Sequence, residues 1–274
     1  MENQRKKLPF TQREDQHPLY GRVADLLLPS GYKVTIREQD GGDDDVISSY
    51  LSQDDMTGPI NRFLAGLIIG HDFDFLPKKN VVKPVEIRDL LLRDKYFILM
   101  ASRIFSISES IIFNWDWKNG KPPVSYEEDL VPYLWDYNKP FPEPGTPGYF
   151  KYMIEPYPEK QVKTRELELS KEKRLRYGYL DGHGENYLMK LSDSERSINS
   201  GLKARGIEIF DNNEWVPIKN FKGFKTWEMA KIRDDVDKFD KQFDGMTDIK
   251  NPHTNEIVSI PLLSITDFFF PREI

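Results

Sequence analysis

The fold is decided by the stretch Arg93-Asp94-Lys95-Tyr96-Phe97-Ile98-Leu99-Met100-Ala101-Ser102-Arg103-Ile104-Phe105-Ser106-Ile107. It runs on as Ser108-Glu109-Ser110-Ile111-Ile112-Phe113-Asn114-Trp115-Asp116-Trp117. Phe97, Met100, Ile104 and Ile107 recur at helical spacing, and Ile98, Leu99 and Phe105 fall on the other sides. A helix that is apolar all round is covered on more than one face. Asp94 stands where a helix cap belongs. After Ser108 the period changes to two, so Ile111, Phe113, Trp115 and Trp117 share one side of a predicted strand. A buried helix followed by an aromatic strand is the expected centre of the molecule, and it carries no catalytic constellation.

Outward from this centre, the order of signals predicts an α+β fold of two small modules, each an antiparallel sheet with helices. Residues 1–25 read as a polar arm of mixed charge, broken by Pro9 and Pro18. The first module, 26–118, opens with the turn Pro29-Ser30-Gly31 and a strand in which Val34 and Ile36 alternate with polar residues. Asp40-Gly41-Gly42-Asp43-Asp44-Asp45 reads as a loop. A helix then starts near Pro59, carries Ile60, Phe63, Leu64, Leu67 and Ile68, and stops at Gly70. Residues 119–161 form a proline-rich extended excursion, pinned by Tyr133, Trp135, Tyr137, Phe141, Tyr149 and Phe150.

The second module, 162–274, begins with a strand over Arg174–Leu180 and a turn at Asp181-Gly182-His183-Gly184-Glu185. Tyr187, Met189 and Leu191 then alternate as in a strand. Thr226 is the expected cap of an amphipathic helix carrying Met229, Ile232, Val236, Phe239 and Phe243. A hairpin over Ile249–Ile260 and the aromatic tail Phe268-Phe269-Phe270-Pro271 close the chain. The two halves share a faint order: a strand ending in an Asp/Gly-rich turn, then a helix, then a hairpin.

Composition narrows the function. The 274 residues are 38% hydrophobic and 31% charged, with a net charge of -6. That balance argues against non-specific binding to nucleic acid or to an anionic membrane, which needs a basic face. No apolar run approaches the ~20 residues that cross a bilayer, and the first ten residues have no secretory pattern. The sequence has 0 cysteines, which excludes disulfides, thiol catalysis and thiolate-bound metal.

The candidate sites weigh toward structure. The Asp40–Asp45 cluster lacks the spacing and closing Glu of a calcium loop and reads as a solvated turn. His183 with Glu185 offers a possible metal site or general base, but its glycines suit a tight turn equally well. Asp234, Asp235 and Asp237 read as an exposed face. No nucleophile elbow, phosphate loop or dinucleotide fingerprint occurs. No catalytic residue, cofactor or metal is assigned. Trp115 and Trp117 suit a core or an interface. Three successive aromatics at Phe268–Phe270 cannot all face one core from a strand.

The Leu28-Pro29-Ser30-Gly31 strand start, the Asp94–Ile107 helix, the terminal hairpin and Phe268-Phe269-Phe270-Pro271 together resemble the baseplate hub and hub-assembly proteins of contractile-tailed bacteriophages. In that family each hairpin bears a Cys-Pro-x-Cys knuckle. Here the terminal turn reads Asn251-Pro252-His253-Thr254, so no metal ligands carry over. The resemblance implies a non-enzymatic tail protein acting through protein–protein contacts. It would be assembled in the host cytoplasm and sit in the virion tail baseplate. Its partners would be other baseplate and tail proteins, with no nucleic acid, membrane or small-molecule substrate. The expected interface is Trp115, Trp117, Phe141, Tyr149, Phe150, Phe268, Phe269 and Phe270, and cutting after Asp267 is expected to weaken assembly while sparing the fold. The alternatives are a chaperone absent from the mature particle and a carbohydrate-active enzyme with a pocket of Trp115, Trp117, Glu127 and Glu128.

Overall fold

A computed structural model describes residues 8–13, 17–48, 57–77, 81–171, 173–262 and 268. Along the first half run β1 (Thr11–Gln12), β2 (Val23–Leu27), β3 (Lys33–Arg37), α1 (Gly41–Ser48), α2 (Thr57–Leu67), β4 (Ile68–His71), α3 (Leu92–Ser106), β5 (Ser110–Trp115) and β6 (Val124–Asp129). The second half follows with β7 (Thr164–Ser170), β8 (Lys173–Gly178), α4 (Gly182–Lys190), α5 (Ser200–Ala204), β9 (Glu208–Asp211) and β10 (Glu214–Pro217). It closes with α6 (Thr226–Phe239), β11 (Met246–Lys250) and β12 (Ile257–Pro261). The fold is α+β. Its sheets, all antiparallel, are β1-β2-β3-β4, β10-β9-β8-β7, and the hairpins β5–β6 and β11–β12.

The faint repeat in the sequence is a repeat of element order. In each half an antiparallel hairpin, β2–β3 or β7–β8, is followed three residues later by an aspartate that caps a helix. Asp40 accepts the Gly42 amide at 2.9 Å, and Asp181 accepts the His183 and Gly184 amides at 3.0 and 2.9 Å. A second helix follows, then a strand that pairs back onto the hairpin, then a longer helix, then another hairpin. The Asp-Gly stretches expected as loops therefore open helices α1 and α4, and the strand expected at Tyr187–Leu191 is not formed. A capping aspartate offsets the poor helix propensity of the glycines behind it.

Other boundaries moved for tertiary reasons. Ile68 and Gly70 belong to β4, which pairs with β3, so α2 stops at Leu67. The arm contributes β1, and β2 begins at Val23, so the first sheet starts before residue 26. The excursion begins with β6, which pairs along the whole of β5. The closing hairpin lies in the first core, because Ile249 and Ile260 are buried with α3 and β5. The second core comes mainly from residues 157–236, with Leu91 reaching in from the start of α3.

Thirteen of the fifteen α3 residues are buried, as its all-round apolar pattern predicts. Its first turn joins the halves. Asp94 does not cap α3, whose N-cap position is Leu91; it accepts the Ser30 amide in the β2–β3 turn at 3.0 Å. Arg93 donates to the carbonyls of Lys241 (2.8 Å) and Pro156 (2.9 Å), and at 3.3 Å to Glu155 and to Phe239, the last residue of α6. Lys95 forms an ion pair with Glu185 of α4. Alongside, Leu91 and Asp181 form a β-bridge that brings the α4 start against residues 88–92. A Cβ on Gly182 would stand 2.7 Å from Arg88 Cα, so only glycine fits there.

Two outcomes follow from this junction. Gly182→Ala should lower unfolding stability by about 1–3 kcal/mol in urea melts, since backbone must move to admit the methyl group. Burial pushes the Asp94 carboxyl up to about 7, against the Ser30 hydrogen bonds and the Arg93 and Lys163 charges that lower it. The folded state therefore holds this proton more tightly than the unfolded chain. The resulting stability is fully present below the unfolded value and is lost as pH rises through the folded one, at up to about 1.4 kcal/mol per pH unit. Asp94→Asn keeps an acceptor for Ser30 and should flatten that decline between about pH 4 and 7 in chemical denaturation.

Candidate interaction surface

Most of the aromatics read as interface residues are held by this chain itself. Trp117 Nε1 donates to Tyr126 Oη at 2.9 Å, and Tyr126 Oη donates to the Lys250 carbonyl at 2.8 Å, tying the two hairpins together. Trp115, at the end of β5, is half-buried against the first core. Phe150 packs edge-on to Tyr133 at 5.0 Å, and Phe141 meets Trp135 edge-on at 6.1 Å. Tyr149 is half-buried in a turn closed by its amide on the Thr146 carbonyl. Phe269 and Phe270 lie outside the described residues.

Phe268 is completely buried in the first core, and its carbonyl accepts from Arg103 Nε at 2.7 Å. Burial lowers that guanidinium to about 10, so its acceptors matter to the fold. The expectation that a cut after Asp267 spares the fold is therefore corrected, because the cut removes a core ring and a partner of a buried cation.

The titratable groups singled out in the sequence also serve structure. Arg37 makes a bidentate pair with Asp43 at 2.8 Å and a contact with Asp40 at 3.1 Å. His183 Nε2 lies 2.9 Å from Asp89, while Glu185 turns to Lys95, so the two do not converge. Asp235 is paired with Arg165 and accepts from Tyr177, which takes it off the exposed face. Among the described residues no group of three His, Asp or Glu gathers in metal-binding geometry. Glu128 accepts from Tyr133 at 3.0 Å and from Thr247 at 2.8 Å, inside the packing between the hairpins. A hollow of about 330 Å³ is lined by Glu109, Ser110, Glu127 and Asp129, without either tryptophan. A broader groove of about 1190 Å³ beside β1 includes Arg13, Asp25 and Thr35, whose polar groups already satisfy one another.

The surface that stands out was not among the sequence candidates. The second sheet packs one face, including Leu175, Tyr177 and Leu169, against Met229, Ile232 and Val236 of α6. Its other face carries Arg174, Arg176, Phe210 and Trp215, all half-buried by one another. Arg174 lies over Phe210 at 4.1 Å and Arg176 over Trp215 at 4.7 Å, with the two rings edge-on at 5.2 Å. Glu208 holds the Arg176 guanidinium at 2.5 and 2.8 Å. The hairpin behind this face turns on Asn212 and Asn213, both at positive φ (48° and 67°), the backbone of a tight two-residue turn. That Asn-Asn pair between Phe210 and Trp215, with alternation along Arg174-Leu175-Arg176-Tyr177, was the available signal.

Comparison of the chain with protein-family models, with curated proteins and with solved structures returns no match.

Phe268→Ala should lower the stability of the isolated chain by about 3–5 kcal/mol, the cost of emptying a core ring position. Thermal and urea melts of purified protein, with no partner present, are the measurement.

Proposed function

We propose that this chain is a non-enzymatic component of a contractile-tail baseplate hub, or a factor that assembles one, working through protein–protein contacts. The observation that carries the interaction reading is the second sheet's outer face. It presents tryptophan, phenylalanine and two arginines on a rigid sheet, side chains over-represented among residues that dominate binding energy. Rigid anchors lose little conformational entropy when a partner covers them. The baseplate assignment rests on the resemblance of the Asp94–Ile107 helix and the terminal Phe268-Phe269-Phe270-Pro271. The enzyme reading is less well supported, because Glu128 is engaged between the hairpins and neither tryptophan lines the acidic hollow.

Affinity purification of the tagged chain from infected cells should recover tail proteins, and mass spectrometry of purified particles separates a permanent subunit from a transient chaperone. A chain that is recovered alone overturns the reading. Trp215→Ala combined with Arg176→Glu should reduce partner recovery by at least ~10-fold. Melting of the isolated variant should change far less than its binding, because neither side chain belongs to a buried core.

A further inference from the structure

The repeat of element order exposes an inequality between the two sheets. Aligned on their capping aspartates, β2 and β3 correspond to β7 and β8, so Asp25 corresponds to Glu166 and Val23 to Thr164. In the first sheet the outer edge of β2 is occupied by β1: Thr11 lies opposite Asp25, the Arg13 amide donates to the Val23 carbonyl at 3.1 Å, and the Arg13 guanidinium clasps Asp25 at 2.7 and 2.8 Å. In the second sheet, among the described residues, β7 has a strand on one side only.

We infer that the free edge of β7 takes an extended segment of a partner polypeptide, with a basic residue placed to reach Glu166 as Arg13 reaches Asp25. Antiparallel geometry decides which groups point outward. The Tyr179 amide bonds the Lys163 carbonyl, so Lys163, Arg165 and Leu167 face β8 and Thr164, Glu166 and Glu168 face away. These three residues are exposed. Lys231 Nζ occupies the Glu168 carbonyl at 2.7 Å, which limits the open stretch to about the length that β1 covers on β2. Among the described residues no cation meets Glu166, since Arg176 opposite it is held by Glu208. The alternative edge, β10, ends in Pro217, which has no amide to offer. An added strand gains affinity from main-chain hydrogen bonds and specificity from side chains at alternate positions. This inference deepens the interaction reading by naming the chemistry of one partner segment.

The probe is a synthetic peptide with the sequence Leu8–Arg13, the chain's own edge strand, added to the full-length protein. Hydrogen exchange followed by NMR should show protection of the Thr164 and Glu166 amides rising by at least ~10-fold at saturating peptide. Glu166→Pro, which removes an outward amide that no described strand uses, should abolish that protection. Glu166→Lys, which leaves the backbone intact, should weaken the peptide by ~10-fold and favour a version with Glu in place of its arginine. Amides already protected in the free chain, no added protection with peptide, or indifference to both substitutions would overturn the inference. Particle association is measured separately. A chain missing from the tail fractions whose β7 amides still respond to peptide defeats the baseplate assignment alone. A tail protein whose β7 amides ignore peptide defeats this inference alone.

Discussion

Three consecutive charged side chains in the first turn of α3, each almost wholly buried, hold this molecule in one arrangement. Burying a charge is costly unless it is paired or hydrogen-bonded, so each had to find partners. Arg93 found them in four backbone carbonyls and the Tyr157 ring, 4.4 Å away. One of those carbonyls ends α6, where helix carbonyls lack internal partners and a cation is favoured. Asp94 found the β2–β3 turn, and Lys95 found α4. Because the three reach three different segments, they fix direction and register in a way that apolar packing alone does not.

The central helix and the aromatic strand were legible because hydrophobic periodicity is written locally. What Arg93, Asp94 and Lys95 do was not, because their partners lie up to 148 positions away and a charged triplet looks like a solvated helix start. Helices α1 and α4 were hidden by Asp-Gly sequences that suit turns equally well. Only the returning partners, Arg37 for Asp43 and Lys95 for Glu185, distinguish the two outcomes. Phe268 was misplaced for the same reason: three adjacent aromatics suggest a sticky tail until a core elsewhere in the chain is seen to need one of them. The arginine–aromatic face went unremarked because its alternation looked like an ordinary half-exposed strand.

One order of elements serves two ends. In the first half the core takes in α2, α3, the β5–β6 hairpin, part of the proline-rich excursion and the hairpin from the far end of the chain. The second half packs α6 under its sheet, and among the described residues no helix or sheet packs on the arginine–aromatic face opposite. Small asymmetries decide this. Arg13 brings a strand to β2, and the excursion folds back so that the Tyr157 amide meets the Pro29 carbonyl and the Gln161 amide meets Ser30. Gly31, at φ 86°, makes the tight turn against which that returning segment rests.

The bond from Arg103 to the Phe268 carbonyl spans 165 positions and has a consequence for synthesis. A chain leaving the ribosome from its amino end cannot close its first core until Phe268 has emerged. The middle portion, whose buried residues lie mostly between 157 and 236, needs much less waiting. Long-range closures of this kind are slow and leave apolar surface uncovered meanwhile. Residues 157–236 are thus positioned to settle before the segments that flank them, and the first core, which needs Phe268, stays open longest.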